Sequence, residues 1–161
     1  MFRLISSSLF LSSLVISALF PPVIKADRGK PFPTDLLPLV QVLEDVGYLV
    51  LFAQPPVAGA YGATNARQKK IWVAPISVDM GIVRQILIHE AVHAAQACPT
   101  GTYEPIGWNI SLPRNVELTI EGILYRKYPH KSFSVEREAF FMQSHPQAFA
   151  EISRALKERC R

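Results

Sequence analysis

The sequence predicts an α+β fold that is mainly helical, with a small β-sheet before a central helix. Two observations lead to this class. Apolar residues recur at the spacing of a helical face in five segments, whereas two short segments are apolar and rich in strand-favouring residues. The second strand segment lies immediately before the central helix, and a later helix carries two closely spaced glutamates.

The first predicted elements are a helix and a strand. The helix is expected over Asp35–Val46, with Thr34 as its cap and Pro38 tolerated in the first turn. Tyr48–Ala53 is continuously apolar and predicts a buried strand that ends at two prolines. The glycine-rich segment Ala58–Asn65 then predicts a turn region.

A second strand and the central helix follow. Lys69–Pro75 starts with polar residues, becomes apolar and stops at a proline, which predicts a strand. Asp79–Ala97 has apolar residues at helical spacing, with its first residue as a natural N-cap, and predicts a helix of about five turns. The segment Cys98–Leu112 is loop-like and is expected to form part of a binding cleft.

Three more helices are predicted in the remaining third of the chain. Pro113 opens a helix that runs to Tyr128. Ser134 is expected to cap a helix over Val135–Ser144, and a capping box at Ser144–Gln147 precedes a last helix over Pro146–Arg159.

The first 26 residues predict an export signal. Arg3 supplies a positive start, Leu4–Phe20 is apolar, and we expect cleavage after the small residue Ala26. An uncleaved anchor is the alternative, because Leu4–Ile24 is just long enough to span a bilayer. We therefore expect an exported protein, periplasmic or secreted, without stable membrane insertion after cleavage; an N-terminally membrane-anchored protein is the alternative.

Residues 27–161 are expected to form a single domain, since 135 residues can bury one core but are too few for two. This part carries 15 Lys and Arg against 13 Asp and Glu, so its net charge is near +2. Such a balance gives no indication of nucleic-acid binding.

Both cysteines, Cys98 and Cys160, lie in the part expected to be exported. An oxidising compartment would allow them to pair, and neither belongs to a Cys-x-x-Cys motif typical of redox or zinc-thiolate sites. We expect a structural disulfide, with two free thiols as the alternative.

The central helix contains an HExxH motif formed by His89, Glu90 and His93. On a helix this spacing places both imidazoles on one face, where they can bind one zinc ion while the glutamate reaches the zinc-bound water. The motif predicts a zinc hydrolase.

A catalytic zinc site needs a third protein ligand. The metzincin pattern is excluded, because Gln96 stands where it needs glycine and Pro99 where it needs its third histidine. Glu136 is followed by Ala139 in a Glu-x-x-Ala pattern, and in this pattern together with HExxH the chain resembles the gluzincins, the thermolysin-like HExxH zinc metallopeptidases. The resemblance implies a zincin-like domain in which Glu136 is the third zinc ligand.

The chain departs from the gluzincin pattern at Phe140, where an aspartate often follows the alanine and supports a zinc histidine. Gln143 could take over that support only with a different geometry. Alternatives for the third ligand stay open: Glu138, Glu117, Glu121 or a further histidine.

The resemblance implies a metallopeptidase in which Glu90 activates the zinc-bound water and an extended peptide pairs with the strand edge at Ile71–Ala74. Candidate donors to the transition state are His130, Tyr128 and Tyr103, on loops. Two other functions remain possible: a non-catalytic exported binding protein that retains a relic of a zinc site, and a zinc hydrolase that acts on bonds other than peptides.

Overall fold

The computed structural model describes residues 31–128 and 130–161, and within them the α+β class is confirmed. The helices and strands are α1 (Leu37–Asp45), β1 (Leu49–Phe52), β2 (Gly62–Asn65), β3 (Lys70–Val73), α2 (Ile76–Asp79), α3 (Val83–Ala97), α4 (Arg114–Lys127), α5 (Phe133–Gln143) and α6 (Ala148–Arg159), with 3-10 turns at Thr34–Leu36 and His130–Ser132. The expected leader and its cleavage site after Ala26 lie outside the described residues. In the described ranges, no helix is both long and apolar enough to cross a membrane.

The sheet has three strands in the order β1-β3-β2, with β1 parallel and β2 antiparallel to β3. Two expectations are corrected here. The segment predicted as a turn region contains strand β2, Gly62–Asn65, which pairs with β3 so that Ala63 lies opposite Trp72. Ile71–Ala74 cannot offer a free edge to a peptide, because β3 is the central strand of this sheet and both of its sides are paired.

Helix α3 lies at the centre of the fold. Twelve of its 15 residues are buried, and it packs against β2, β3, α5 and α6. Its alanines, among them Ala91, Ala94 and Ala95, have no solvent exposure and let the neighbouring elements approach closely. A helix surrounded in this way holds its side chains in fixed directions.

The start of α3 differs from the prediction. Asp79 is the last residue of the short helix α2, which Pro75 precedes as the N-cap residue. Gly81 then adopts a φ of 68°, a value that most L-residues avoid, and α3 begins at Val83. The helix is therefore about four turns long rather than five.

Besides Asp79, three predicted caps are wrong. Among the described residues no side chain caps α1, because Thr34 begins the 3-10 turn that leads into it. Helix α5 starts at Phe133, so Ser134 lies inside it, and α6 starts at Ala148, beyond the expected capping box. The helices themselves are found where apolar spacing predicted them, since tertiary packing decides their existence more than their caps do.

The predicted pairing of Cys98 with Cys160 is confirmed, with a Cα–Cα distance of 5.0 Å. The disulfide connects the residue after α3 with the residue after α6. Arg159 reinforces this junction, because its Nε donates a hydrogen bond to the carbonyl of Ala95 at 3.0 Å.

Candidate metal site

Two helices bring three potential metal ligands together. His89 and His93 lie one turn apart on α3, and Glu136 lies on the facing helix α5. The two imidazole Nε2 atoms are 3.1 Å apart, and Glu136 Oε2 lies 3.3 Å from that of His89 and 3.5 Å from that of His93. This group could hold a metal ion.

The separations within the group fit a tetrahedral metal. Ligand bonds of 2.0–2.2 Å place neighbouring ligand atoms about 3.3–3.6 Å apart in a tetrahedron, close to the observed 3.1–3.5 Å. In addition, Glu136 Oε2 is buried but accepts no hydrogen bond of normal geometry within the described part of the chain. Such an oxygen is costly unless a cation or donor satisfies it, so the donor set and its spacing suit a metal ion.

The charges of the three side chains depend on one another. Burial alone would raise the pKa of Glu136, but the imidazoles of His89 and His93 beside it lower this pKa to about 2. Burial would lower the pKa of His93, but Glu136, Glu90 and Gln96 raise it. Glu136 therefore remains a carboxylate, the form that binds cations.

The outer nitrogens of both histidines have amide partners. His93 Nδ1 lies 2.8 Å from Gln96 Oε1, and His89 Nδ1 lies 3.1 Å from Gln143 Nε2. Gln143 therefore contacts one of the two histidines of the cluster. Phe140, which stands in place of that aspartate, packs edge-on against His89 with ring centroids 4.7 Å apart.

Glu138 does not join the cluster, although it is only two residues from Glu136. Its carboxylate points to the loop between α3 and α4, where it accepts hydrogen bonds from backbone N–H groups at 2.6–3.1 Å. Two alternatives on α4 also lie apart from the histidines: Glu117 is 3.6 Å from Arg114, and Glu121 is half-buried on the same helix. Among the described residues, the third member of the cluster, beside the two histidines, is Glu136.

Glu90 lines the same cleft as the three potential ligands. The hydroxyl of Thr64 lies 2.8 Å from Glu90 Oε2 and 3.0 Å from the Glu90 carbonyl, within donating distance of each. Strand β2 can approach α3 this closely because residue 62 is glycine: a Cβ there would lie 2.6 Å from Glu90 Oε1 and from Ile86 Cγ2. The cleft has a volume of about 710 Å³, enough for part of a peptide or a small molecule.

Two of the three candidate donors line this cleft. The Tyr103 hydroxyl already donates to the carbonyl of Thr64 at 2.8 Å. Burial, followed by the charges of Glu136 and Glu90, raises the pKa of Tyr128 to about 12, so its phenol stays protonated and can donate. His130 is not among the lining residues and packs against Phe133, with ring centroids 4.9 Å apart.

One edge of β2 also faces the cleft. The backbone N–H of Ala74 donates a hydrogen bond to the carbonyl of Tyr61 at 2.8 Å, so the backbone carbonyl of Tyr61 points toward the strand that contains β3. Because hydrogen bonding alternates along an antiparallel strand, the backbone groups of Gly62 and Thr64 point away from β3. The bond from the Tyr103 hydroxyl to the Thr64 carbonyl fits this direction.

The sequence does not predict the observed contacts of four residues around the site. They are Gly62 and Thr64 on β2, Gln96 beside His93, and Glu138 as an anchor for the loop. Gln96 had a detectable signal, since it is the one strongly polar residue in the run Ala94–Ala97 and lies three residues after His93 on the same face. Gly62 and Thr64 had none, because they meet α3 only through the tertiary fold.

The fold and the cluster define a candidate metal centre of the His-His-Glu type, with a fourth polar side chain, Glu90, in the same cleft. No protein-family model, curated protein or solved structure matches this chain. A His-His-Glu group occurs in proteins of more than one function, so the group alone does not define the function of this chain.

Proposed function

We propose that this protein is an exported zinc-dependent metallopeptidase. The observation that carries the proposal is the cluster itself, in which His89 Nε2, His93 Nε2 and Glu136 Oε2 lie within 3.1–3.5 Å of one another. Glu90 lines the same cleft. Three protein ligands and a nearby carboxylate that is not itself a ligand are the set that a hydrolytic zinc site uses.

Zinc is the metal that this donor set favours. Two imidazoles and one carboxylate, at separations that suit a tetrahedron, match zinc better than magnesium or calcium, which prefer six or more oxygen ligands. When bound, zinc supplies a Lewis acid that polarises a carbonyl and makes a water molecule nucleophilic near neutral pH.

Glu90 acts as the general base under this proposal. It accepts the proton of the attacking water and later returns it to the leaving amine. Thr64 fixes the orientation of the carboxylate, because its hydroxyl lies 2.8 Å from Glu90 Oε2 and its backbone is part of the sheet. Tyr128 is the donor to the oxyanion, since its phenol stays neutral and the Tyr103 hydroxyl is engaged by a carbonyl.

The substrate is an extended peptide that pairs with the edge of β2. Strand β3 cannot pair with a peptide because it is the central strand of the sheet. We therefore assign peptide pairing to β2, whose Gly62 and Thr64 direct backbone groups away from β3. Gly62, Ala63 and Thr64 line the cleft together with His89 and His93. A peptide on this edge would therefore run past the proposed zinc ligands.

Export is proposed on two grounds. The first residues have the composition of a signal peptide, and the disulfide between Cys98 and Cys160 suits an oxidising compartment. Both grounds agree with a periplasmic or secreted enzyme.

Two measurements on the purified chain test the function. We expect about one zinc per chain by elemental analysis and cleavage of a random peptide library. Glu136→Ala should lose the zinc, whereas Glu90→Gln should keep it and lower hydrolysis by about 10²–10⁴-fold. A folded protein that binds no zinc after reconstitution contradicts the metal site. Zinc binding with equal hydrolysis by wild type and Glu90→Gln contradicts the mechanism.

A further inference from the structure

Gln96 connects the zinc-site histidine His93 with Glu138. Its side-chain oxygen lies 2.8 Å from His93 Nδ1, and its Nε2 donates to Glu138 Oε2 and to the Val135 carbonyl, both at 2.9 Å. Gln96 has no solvent exposure, and Glu138 is only 8% exposed. The chain of contacts therefore excludes bulk water.

The orientation of the Gln96 amide follows from its partners. A carboxylate and a backbone carbonyl only accept hydrogen bonds, so the Gln96 NH₂ must face Glu138 and Val135. The Gln96 oxygen is then left for His93, and an oxygen can only accept. In the neutral ring the hydrogen of His93 must consequently sit on Nδ1.

Glu138 is held in turn by the loop that follows α3. The backbone N–H of Ile106 donates to its Oε2 at 2.8 Å, and those of Gly107 and Trp108 donate to its Oε1 at 2.6 and 3.1 Å. With the Gln96 NH₂, the carboxylate accepts four hydrogen bonds, and the three from backbone N–H groups cannot reverse their polarity. The loop backbone thus sets the direction of the whole chain of hydrogen bonds.

We infer that Gln96 and Glu138 are positioning residues that fix His93 as the Nδ1–H tautomer, with the lone pair of Nε2 directed at His89 and Glu136. This inference rests on the proposed function only where it concerns zinc, since Nε2 must be unprotonated to bind a metal. The tautomer itself is a property of the metal-free protein.

His89 lacks such a constraint. Its Nδ1 faces the NH₂ of Gln143 at 3.1 Å, and in the described part of the chain no other hydrogen bond fixes the Gln143 amide. That amide can turn to offer its oxygen when His89 binds a metal through Nε2. His93 is therefore the preset ligand of the pair, and His89 is the adjustable one.

The test reverses the polarity of the chain of hydrogen bonds. Glu138→Gln keeps the shape of the side chain and its oxygen toward Gly107 and Trp108, but places an NH₂ against the Ile106 N–H and the Gln96 NH₂. The Gln96 amide should then rotate, give up its bond to the Val135 carbonyl, donate to His93 Nδ1 and move the ring hydrogen to Nε2. The double variant Gln96→Glu with Glu138→Gln returns an acceptor to His93 and should restore the Nδ1–H tautomer, although its second carboxylate oxygen then faces the Val135 carbonyl and lowers its stability.

Two readouts apply: the ¹⁵N shifts of His93 in the metal-free protein at alkaline pH, and zinc affinity by competition with a chelator. We expect the Nδ1–H form in wild type, the Nε2–H form in Glu138→Gln, and a 10- to 100-fold loss of zinc affinity in Glu138→Gln and in Gln96→Leu. The double variant should recover part of that loss. Gln85→Leu, an exposed change on the same helix, serves as the control and should leave both readouts unchanged.

The outcomes separate this inference from the proposed function. An Nε2–H tautomer in wild type, or unchanged tautomer and affinity in folded Glu138→Gln and Gln96→Leu, overturns the inference while zinc binding by wild type still stands. An Nδ1–H tautomer that inverts in Glu138→Gln, in a chain that binds no zinc, supports the positioning role and contradicts the metal site. Circular dichroism verifies that each variant is folded.

Discussion

Glu136 and Glu138 differ by two positions on α5 and have opposite surroundings. Residues two apart on a helix point about 200° from each other, so one carboxylate meets the histidines and the other meets the loop of residues 106–108. Among the residues that the structure describes, Glu136 Oε2 has no hydrogen-bond donor of normal geometry, whereas Glu138 accepts four hydrogen bonds. The same residue type therefore offers a cation ligand at one position and a structural anchor at the other.

Gly62 allows a close contact between strand β2 and the proposed catalytic helix α3. Gly62→Ala would place a Cβ 2.6 Å from Glu90 Oε1 and Ile86 Cγ2, so either β2 or Glu90 must move. We expect zinc binding to persist, peptide hydrolysis to fall at least tenfold, and the free energy of unfolding to drop by about 1–3 kcal/mol. Elemental analysis, a peptide assay and urea denaturation measure the three quantities.

Gly122→Ala is the matched control for that change. This glycine lies in α4, and its added Cβ would come no closer than 3.7 Å to the nearest group, the Arg126 side chain. Alanine favours a helix over glycine, so the variant should be neutral or stabilised by about 0.5–1 kcal/mol. Full activity in Gly62→Ala would show that β2 and Glu90 can separate without consequence.

Thr64 offers a second test of how Glu90 is oriented. Thr64→Val keeps the branched shape but removes the hydroxyl that lies 2.8 Å from Glu90 Oε2. Hydrolysis should fall roughly 10- to 100-fold with zinc retained, because the base loses its orienting donor. Thr64→Ser retains the hydroxyl and should keep most of the activity. Equal rates for the valine and serine variants would contradict a positioning role for this hydroxyl.

Residue spacing predicted the members of the cluster but not what surrounds them. The HExxH spacing and the Glu-x-x-Ala spacing are local properties, so His89, His93 and Glu136 could be selected from the sequence. The contacts of Thr64 with Glu90 and of Glu138 with the loop join segments 26 and about 30 residues apart. No local pattern encodes such contacts.

Strand β2 shows the same limit among the elements. Gly62–Asn65 has neither apolar alternation nor several β-branched residues, so its sequence resembles a turn. It forms a strand because β3 supplies hydrogen bonds on one side and α3 requires a small residue on its face. The apolar strands β1 and β3 and the five longer helices were recognisable, because the pattern of apolar residues within each segment indicates which residues are buried. The short helix α2 was not predicted.

The disulfide joins the ends of α3 and α6, and its contribution follows from the length of chain it closes. Cys98 and Cys160 are 62 residues apart, and a loop of this length corresponds to about 4 kcal/mol of loop-closure entropy. Reduction, or the Cys98→Ser and Cys160→Ser double variant, should therefore lower the free energy of unfolding by about 2–5 kcal/mol in urea. A loss below about 1 kcal/mol would indicate that α6 is held by packing alone.

At the scale of the whole molecule, the apolar core extends well beyond the candidate metal site. One continuous group of buried apolar residues joins α1, β1, β3, α3, α5 and α6, so α3 and α5 pack through Ala139 and Met142 as well as through the proposed ligands. A protein built in this way should fold without metal, unlike small zinc domains whose ligands replace a core. Zinc should then act as a ligand that stabilises an existing fold.

Metal removal tests this view of the whole molecule. With free zinc at 100 times its dissociation constant, binding adds about 2.7 kcal/mol, which corresponds to a rise in Tm of roughly 10 °C for a domain of this size. The chelated protein should keep its helical circular dichroism and lose only this increment. Glu136→Ala should show no zinc-dependent rise, while Glu158→Gln, an exposed change on α6, should show the full rise. Loss of helical signal on chelation would mean that the core needs the metal, because α3 and α5 would then separate without an ion to join them.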